Sequence, residues 1–217
     1  MLKNPVFWSA TAVFISLLVA GWTGYTNYKA AFSPFQAELS VGHPLFVRSN
    51  DEKGENYCLT PIVPIEFANV GAKPGSVRDV VVIVSAGNWK VLLQAEAFSK
   101  SFGADALTDD KREIFHPFML NAKERLFKTL IFNPSVQPKG WKPALIKNGE
   151  LLPDGPYLFK FYLNSGVTNR LRLVTERTYA VPKDVLAGLA TGKGRPYVPF
   201  DDATIKGRRS LGEELAE

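Results

Sequence analysis

Among its 217 residues the chain has one cysteine, two histidines and two methionines. A lone Cys58 excludes an internal disulfide, and with it the Cys–Trp–Cys framework of antibody-type domains. Its neighbours Tyr57 and Leu59 offer no charge to stabilise a thiolate, so it reads as a small apolar residue opening a strand. His43 and His116 lie far apart, each before a proline, which is thin material for a metal site. No serine stands in a Gly-x-Ser-x-Gly elbow. Gly188, Gly192, Lys193 and Gly194 outline a phosphate loop. One residue is missing between its glycines, and glycine replaces the hydroxyl that would hold magnesium. The carboxylates Asp109 and Asp110 adjoin Lys111, Arg112 and Glu113, most simply a solvated loop.

No charge run stands out either. The net charge is +5, yet from residue 183 onward six basic residues face six acidic ones. Nucleic-acid binding usually shows a concentrated basic stripe, so no nucleic-acid partner is expected. No cofactor and no small-molecule substrate can be assigned. Disorder is excluded as well, because 46% of residues are hydrophobic and 12% aromatic, enough for a real core.

What is present begins with residues 6–26, a run of 21 without a charge. At about 1.5 Å per residue such a helix reaches the ~30 Å hydrocarbon thickness of a bilayer. Pro5 suits a first helical turn, and Lys3 and Lys29 bracket the run. Trp8 near one end, with Trp22, Tyr25 and Tyr28 near the other, matches an aromatic belt at membrane interfaces. The sequence therefore predicts a single-pass transmembrane anchor over residues 1–29, in preference to a cleaved signal peptide. The lipid bilayer is its expected partner, and the C-terminal domain is expected outside the cytoplasm, at the periplasm or cell surface.

A connector follows over residues 30–36, then a β domain over 37–182. Residues 37–48 make a first extended segment. Val63, Ile65 and Phe67 keep a period of two, while Pro61 and Pro64 argue for an edge strand or a bend. Residues 77–85 are almost continuously apolar and β-branched, as in a strand buried on both faces. Trp89, Val91 and Leu93 restart the alternation, residues 99–113 are a polar loop, and 115–120 and 126–132 are two further strands. Tyr157, Phe159, Phe161 and Leu163 share one face of the clearest strand, and residues 171–179 form the last. Such spacing predicts a two-sheet antiparallel sandwich. Residues 183–217 hold a two-turn helix over 183–191 ended by Gly192, then a loose tail with a possible capping box at Ser210 and Glu213. Arg208, Arg209 and Ser210 form a short phosphorylation-like pattern.

The turn Asn69-Val70-Gly71, followed by Gly75-Ser76-Val77-Arg78-Asp79-Val80, resembles the start of CARDB-like and other immunoglobulin-like modules. Asp154-Gly155-Pro156-Tyr157 looks like the turn-plus-tyrosine entry to their penultimate strand. That resemblance implies a tyrosine hydroxyl satisfying nearby backbone. The layout also resembles small bacterial membrane-anchored proteins of unknown function.

The sequence thus predicts a mainly β, membrane-tethered interaction or structural module that is not an enzyme. Phe98 and Phe102, in the long segment 98–113, and Trp141, in the irregular crossing 133–150, are the candidate partner contacts. Alternatives are an accessory subunit of a larger membrane complex, or an envelope metal-dependent hydrolase that gathers His43, His116 and carboxylates.

Overall fold

The computed structural model describes residues 5–102, 106–141, 144–165 and 170–193, with the backbone alone for 5–11 and 109. The chain opens with helix α1 (Pro5–Phe32). Ser16 and Thr23 hydroxyls donate to the carbonyls of Ala12 and Val19, each at 2.8 Å, so the helix satisfies its own polar side chains. Every side chain from residue 12 to residue 32 is exposed.

The expectation of a single-pass membrane anchor is corrected here. Among the described residues, no helix is long and apolar enough to cross a membrane. Toward its C-terminal end the helix carries the polar and charged residues Thr23, Thr26, Asn27 and Lys29. Trp22, Tyr25 and Tyr28 are exposed on α1 without flanking a span. The anchor's orientation and the extracytoplasmic placement fall with it. Trp8's side chain, the tail from 194, its Ser210–Glu213 capping box and Arg208-Arg209-Ser210 lie outside the described residues.

Residues 33–36 leave α1 and lie against the turn after residue 69. The Val70 amide donates to Gln36 O at 2.9 Å and the Ala72 amide to Ser33 O at 3.1 Å. A Cβ on Gly71 would stand 2.0 Å from the Pro34 carbonyl oxygen, so only glycine permits this crossing.

Twelve strands follow: β1 (Ala37–Val41), β2 (Leu45–Asn50), β3 (Asn56–Asn69), β4 (Gly75–Val77), β5 (Asp79–Ala86), β6 (Trp89–Ser99), β7 (Arg112–Ile114), β8 (Phe118–Leu120), β9 (Arg125–Pro134), β10 (Ile146–Lys147), β11 (Pro156–Asn164) and β12 (Leu171–Ala180). The main sheet runs β1-β3-β9-β6-β5-β11-β12, with β2 and β10 on β3 and β7 on β6, while β4 and β8 pair separately. Every pairing on this path is antiparallel. Its ends, β1 and β12, come into contact, where the Tyr179 hydroxyl donates to Gly42 O at 3.4 Å. The protein is therefore mainly β, with one nearly closed, barrel-like sheet in place of two separately hydrogen-bonded ones.

Two strands make this closure possible. The first part of β6, Trp89 to Gln94, pairs with β5, and its last part, Leu93 to Ser99, pairs with β9 with a register shift between Ala95 and Ala97. That bulge adds one residue and bends the strand from one half of the sheet to the other. Strand β3 is interior despite Pro61 and Pro64. The Pro64 carbonyl accepts from the Gly42 amide at 2.9 Å, so its donor-less nitrogen faces the break between β1 and β2, where no ladder partner stands. The edge-strand expectation fails for this reason.

Residues 115–120 are not one strand, since His116-Pro117 separates β7 from β8. The stretch 99–113 is no free loop either: it contains a short 3₁₀ turn (Asp109–Lys111) and β7. Its Ala106 is fully buried against Leu45, Ile62, Ala97 and Ile131, a small second core outside the main one. The main core gathers Phe46, Phe67, Val82, Phe132, Phe159 and Phe161, all 0% exposed. Helix α2 (Lys183–Thr191) closes one end, burying Leu186, Leu189 and Ala190. Gly192 ends it in the left-handed conformation, φ 70°.

Candidate interaction surface

The chemistry-bearing residues of the β domain are occupied structurally. Cys58 is buried, with its sulfur 3.7 Å from the Thr60 hydroxyl, and burial pushes its thiol pKa up. Thr60, itself buried, donates to Asn133 Oδ1 at 3.2 Å and shares a hydroxyl–hydroxyl bond with Ser49 Oγ at 2.9 Å. Buried Asn69 donates to the carbonyls of Lys73 at 2.9 Å and Asn121 at 2.8 Å and accepts from the Gly71 amide at 2.9 Å. It holds the turn. His116 packs its ring on Phe98, centroids 5.4 Å apart, and its Nδ1 lies 3.8 Å from Glu113. Among the described residues, no group of three or more His, Cys, Asp or Glu could hold a metal.

The three aromatic contacts expected from sequence separate. Phe98 is 3% exposed and stacks with Phe115 at 5.1 Å and Phe118 at 6.0 Å. It is a core residue, not a contact. The β6 bulge explains the difference. Trp89, Val91, Leu93 and Ala95 face the main core, and one extra residue flips the alternation so that Phe98 turns in while Ala97 turns out. Phe102 is exposed. Trp141 is half-buried, with Lys90 Nζ 4.4 Å above its ring, a cation–π contact.

Arg48, which no sequence motif marks, organises one end of the domain. Its Nη1 donates to the carbonyls of Leu189 at 2.6 Å and Ala190 at 2.7 Å, its Nε to Asn50 Oδ1 at 2.7 Å, and its Nη2 to Asn148. The guanidinium also lies over the Tyr57 ring, 4.6 Å from its centroid. A cation at a helix C-terminus meets both the orphan carbonyls and the negative end of the dipole. Arg48 is thus a clamp on α2, and no free anion site.

Among the described residues, two surfaces stand out for contacts. One is α1, where Phe14, Leu17, Leu18, Val19 and Trp22 are between 59% and 70% exposed. The other is the outer face of β6-β5-β11-β12. Register places Leu92, Ile83, Lys160 and Glu176 in one row across it, and Gln94, Val81, Tyr162 and Leu173 in the next. Lys90, Ser85, Leu158 and Thr178 form a third row. None of the apolar members belongs to either core. Lys160 and Glu176 pair at 3.0 Å, and that pairing raises the lysine pKa. Trp141 borders this face through Lys90. A separate open groove of about 550 Å³, lined by Asn56, Trp89, Lys147, Glu150 and Leu151 among others, flanks β10.

Comparison with known protein families, with curated proteins and with solved structures finds no match in any of the three.

Proposed function

We propose that this chain is a non-enzymatic interaction or structural module, an immunoglobulin-like β-sandwich carrying α1 as its attachment element. The observation that carries the reading is α1. From residue 12 to residue 22 the helix is apolar but for Ser16, with each side chain exposed, and so presents more apolar surface than a solitary soluble body normally leaves in water.

Three features support the sandwich type. The strand order places β1, β3 and β9 in one half and β5, β11 and β12 in the other. Strand β6 starts in the second half and ends in the first, which is how corner strands join packed sheets. The Tyr157 hydroxyl donates to Pro153 O at 2.6 Å, the duty of a tyrosine corner. Sandwich domains of this kind commonly act through exposed faces and loops.

The test is co-purification of the full chain from its own cells in mild detergent, beside a variant with Phe14, Leu18 and Tyr25 all changed to Gln. Wild type is expected to bring down a stoichiometric protein partner that the variant loses. A wild-type chain recovered alone, or a variant that keeps the partner, removes the reading. Flotation of wild type but not variant with lipid vesicles would name a lipid surface as the partner instead.

A further inference from the structure

We infer that Asn148-Gly149 is a self-modifying deamidation site that docked α2 holds shut, and that its product keeps α2 from seating again. This is the chain's one Asn-Gly step, and both residues are exposed to water. The Gly149 amide nitrogen attacks Cγ of Asn148, forming an N–Cγ bond. The Cγ–Nδ2 bond breaks, and Nδ2 leaves as ammonia with the amide proton. Water then opens the succinimide at either carbonyl. Opening at Cγ gives aspartate, while opening at the backbone carbonyl gives isoaspartate, whose main chain runs through Cγ. A glycine after the asparagine has no Cβ to obstruct the attack.

In the folded chain each participating group is held. The Gly149 amide, the nucleophile, donates to Ala190 O at 3.1 Å. Asn148 Oδ1 accepts from Arg48 Nη2, and Nδ2, the leaving group, donates to Gly54 O. The flanking amides are tied as well, Asn148 N to Glu55 O and Glu150 N to Lys147 O, each at 3.0 Å. Attack requires the Gly149 amide to leave Ala190 while the Asn148 side chain swings back over its own main chain. Two of the holding groups meet on α2. Ala190 O accepts from both Gly149 and Arg48, and Arg48 also donates to Leu189 O. Undocking α2 therefore frees the nucleophile and loosens the side chain together, and the rate follows the population of that open form.

The products account for the latch. Aspartate has no N–H for Gly54 O, and its carboxylate draws Arg48 more strongly than an amide does, in competition with the α2 carbonyls. Isoaspartate lengthens the main chain of a turn in which Gly149 sits at φ 86°, displacing the amide that meets Ala190. A deamidated turn thus records that α2 has been open.

The experiment incubates the full chain at mildly alkaline pH, in mild detergent that covers α1, and follows the peptide holding residue 148 by mass mapping. Deamidation adds one mass unit there, and Asn148→Gln should show no gain. Folded wild type is expected to react at least about ten-fold more slowly than the same chain in guanidinium chloride. Leu186→Ala, which opens a cavity beneath α2 and keeps Arg48, should react about ten-fold faster than folded wild type. If that variant fails to fold, the comparison of folded with denatured wild type decides. Equal rates in folded and denatured wild type, or a folded Leu186→Ala no faster than wild type, would overturn the gate. The deamidated chain, isolated by anion exchange, should show faster hydrogen exchange over residues 186–191 than the unmodified chain. Unchanged exchange there would overturn the latch.

Discussion

Helix α1 and strand β11 are both rich in apolar side chains, yet one is exposed along its described length and the other is the centre of the core. In β11, Tyr157, Phe159 and Phe161 are 0% exposed and Leu163 is 3%, while Leu158, Lys160 and Tyr162 between them face outward. In α1 the apolar residues 13, 14, 15, 17, 18 and 19 go round the whole helix. A one-sided element has a direction in which to dock, whereas an all-round one cannot satisfy itself on a single domain surface. What counts is how apolar groups are distributed, and their number alone does not place an element.

The largest effect that could break this comparison is Phe161→Ala. Removing a fully buried ring packed against Phe132 and Phe159, with centroids 6.3 Å apart in each case, should cost about 3–5 kcal/mol in denaturant unfolding. Leu158→Ala, one strand face away, should cost about 1 kcal/mol or less. Comparable losses would mean that the outer face is covered too.

Next comes Arg48→Ala. It strips charged hydrogen bonds from the end of α2 and should cost about 2 kcal/mol. Hydrogen exchange should rise first in residues 186–191, and uniform exchange across the sheet would show that α2 is not a separate unit. Arg48→Lys should recover little, since one ammonium cannot reach this fan of acceptors.

The smallest effect concerns pH. The Asn56 side chain, donating at 2.7 Å, holds Asp51 below the usual carboxylate pKa, with backbone amides of the same turn assisting. Burial raises Asp79, and the Gln94 hydrogen bond only partly offsets it. Stability from the depressed Asp51 is in place above its unfolded pKa near 4 and is lost as pH falls through the lower folded value. Asp79 has the opposite sign, favouring the fold when protonated and losing that contribution as pH rises through its raised value. Carbon-detected NMR titration should find Asp79 protonating at a higher pH than Asp51. The reverse order would contradict both environments.

Much of the β domain was legible. Strand β11 and the inward residues of β6 followed from alternation. Helix α2 and its Gly192 stop followed from local signals. The candidate surface was legible only in fragments. Lys160 was visible as the outward side of β11, and the two-sided apolarity of β5 was visible as composition. Their meeting on one face depends on register between strands far apart in sequence. Phe98 misled because a bulge shifts every later side chain by one face, and no local residue pattern announced it. Residues 6–26 misled in another way. An uncharged run gives a length that could span a bilayer, but among the described residues no helix proves long and apolar enough.

By itself the sequence determined most of the long strands, the inward face of β11, the glycine that ends α2, and which motifs of catalysis it lacks. These are properties of consecutive residues and their periods. Tertiary structure alone decided that β6 joins the two halves of the sheet, that Pro64 can sit inside it, and that Arg48 clamps a helix 141 residues away. It also decided that Ile83, Lys160 and Glu176 stand in one row across β5, β11 and β12. Each of these depends on contacts between residues distant in the chain, whose geometry is fixed only when packing selects one register from many.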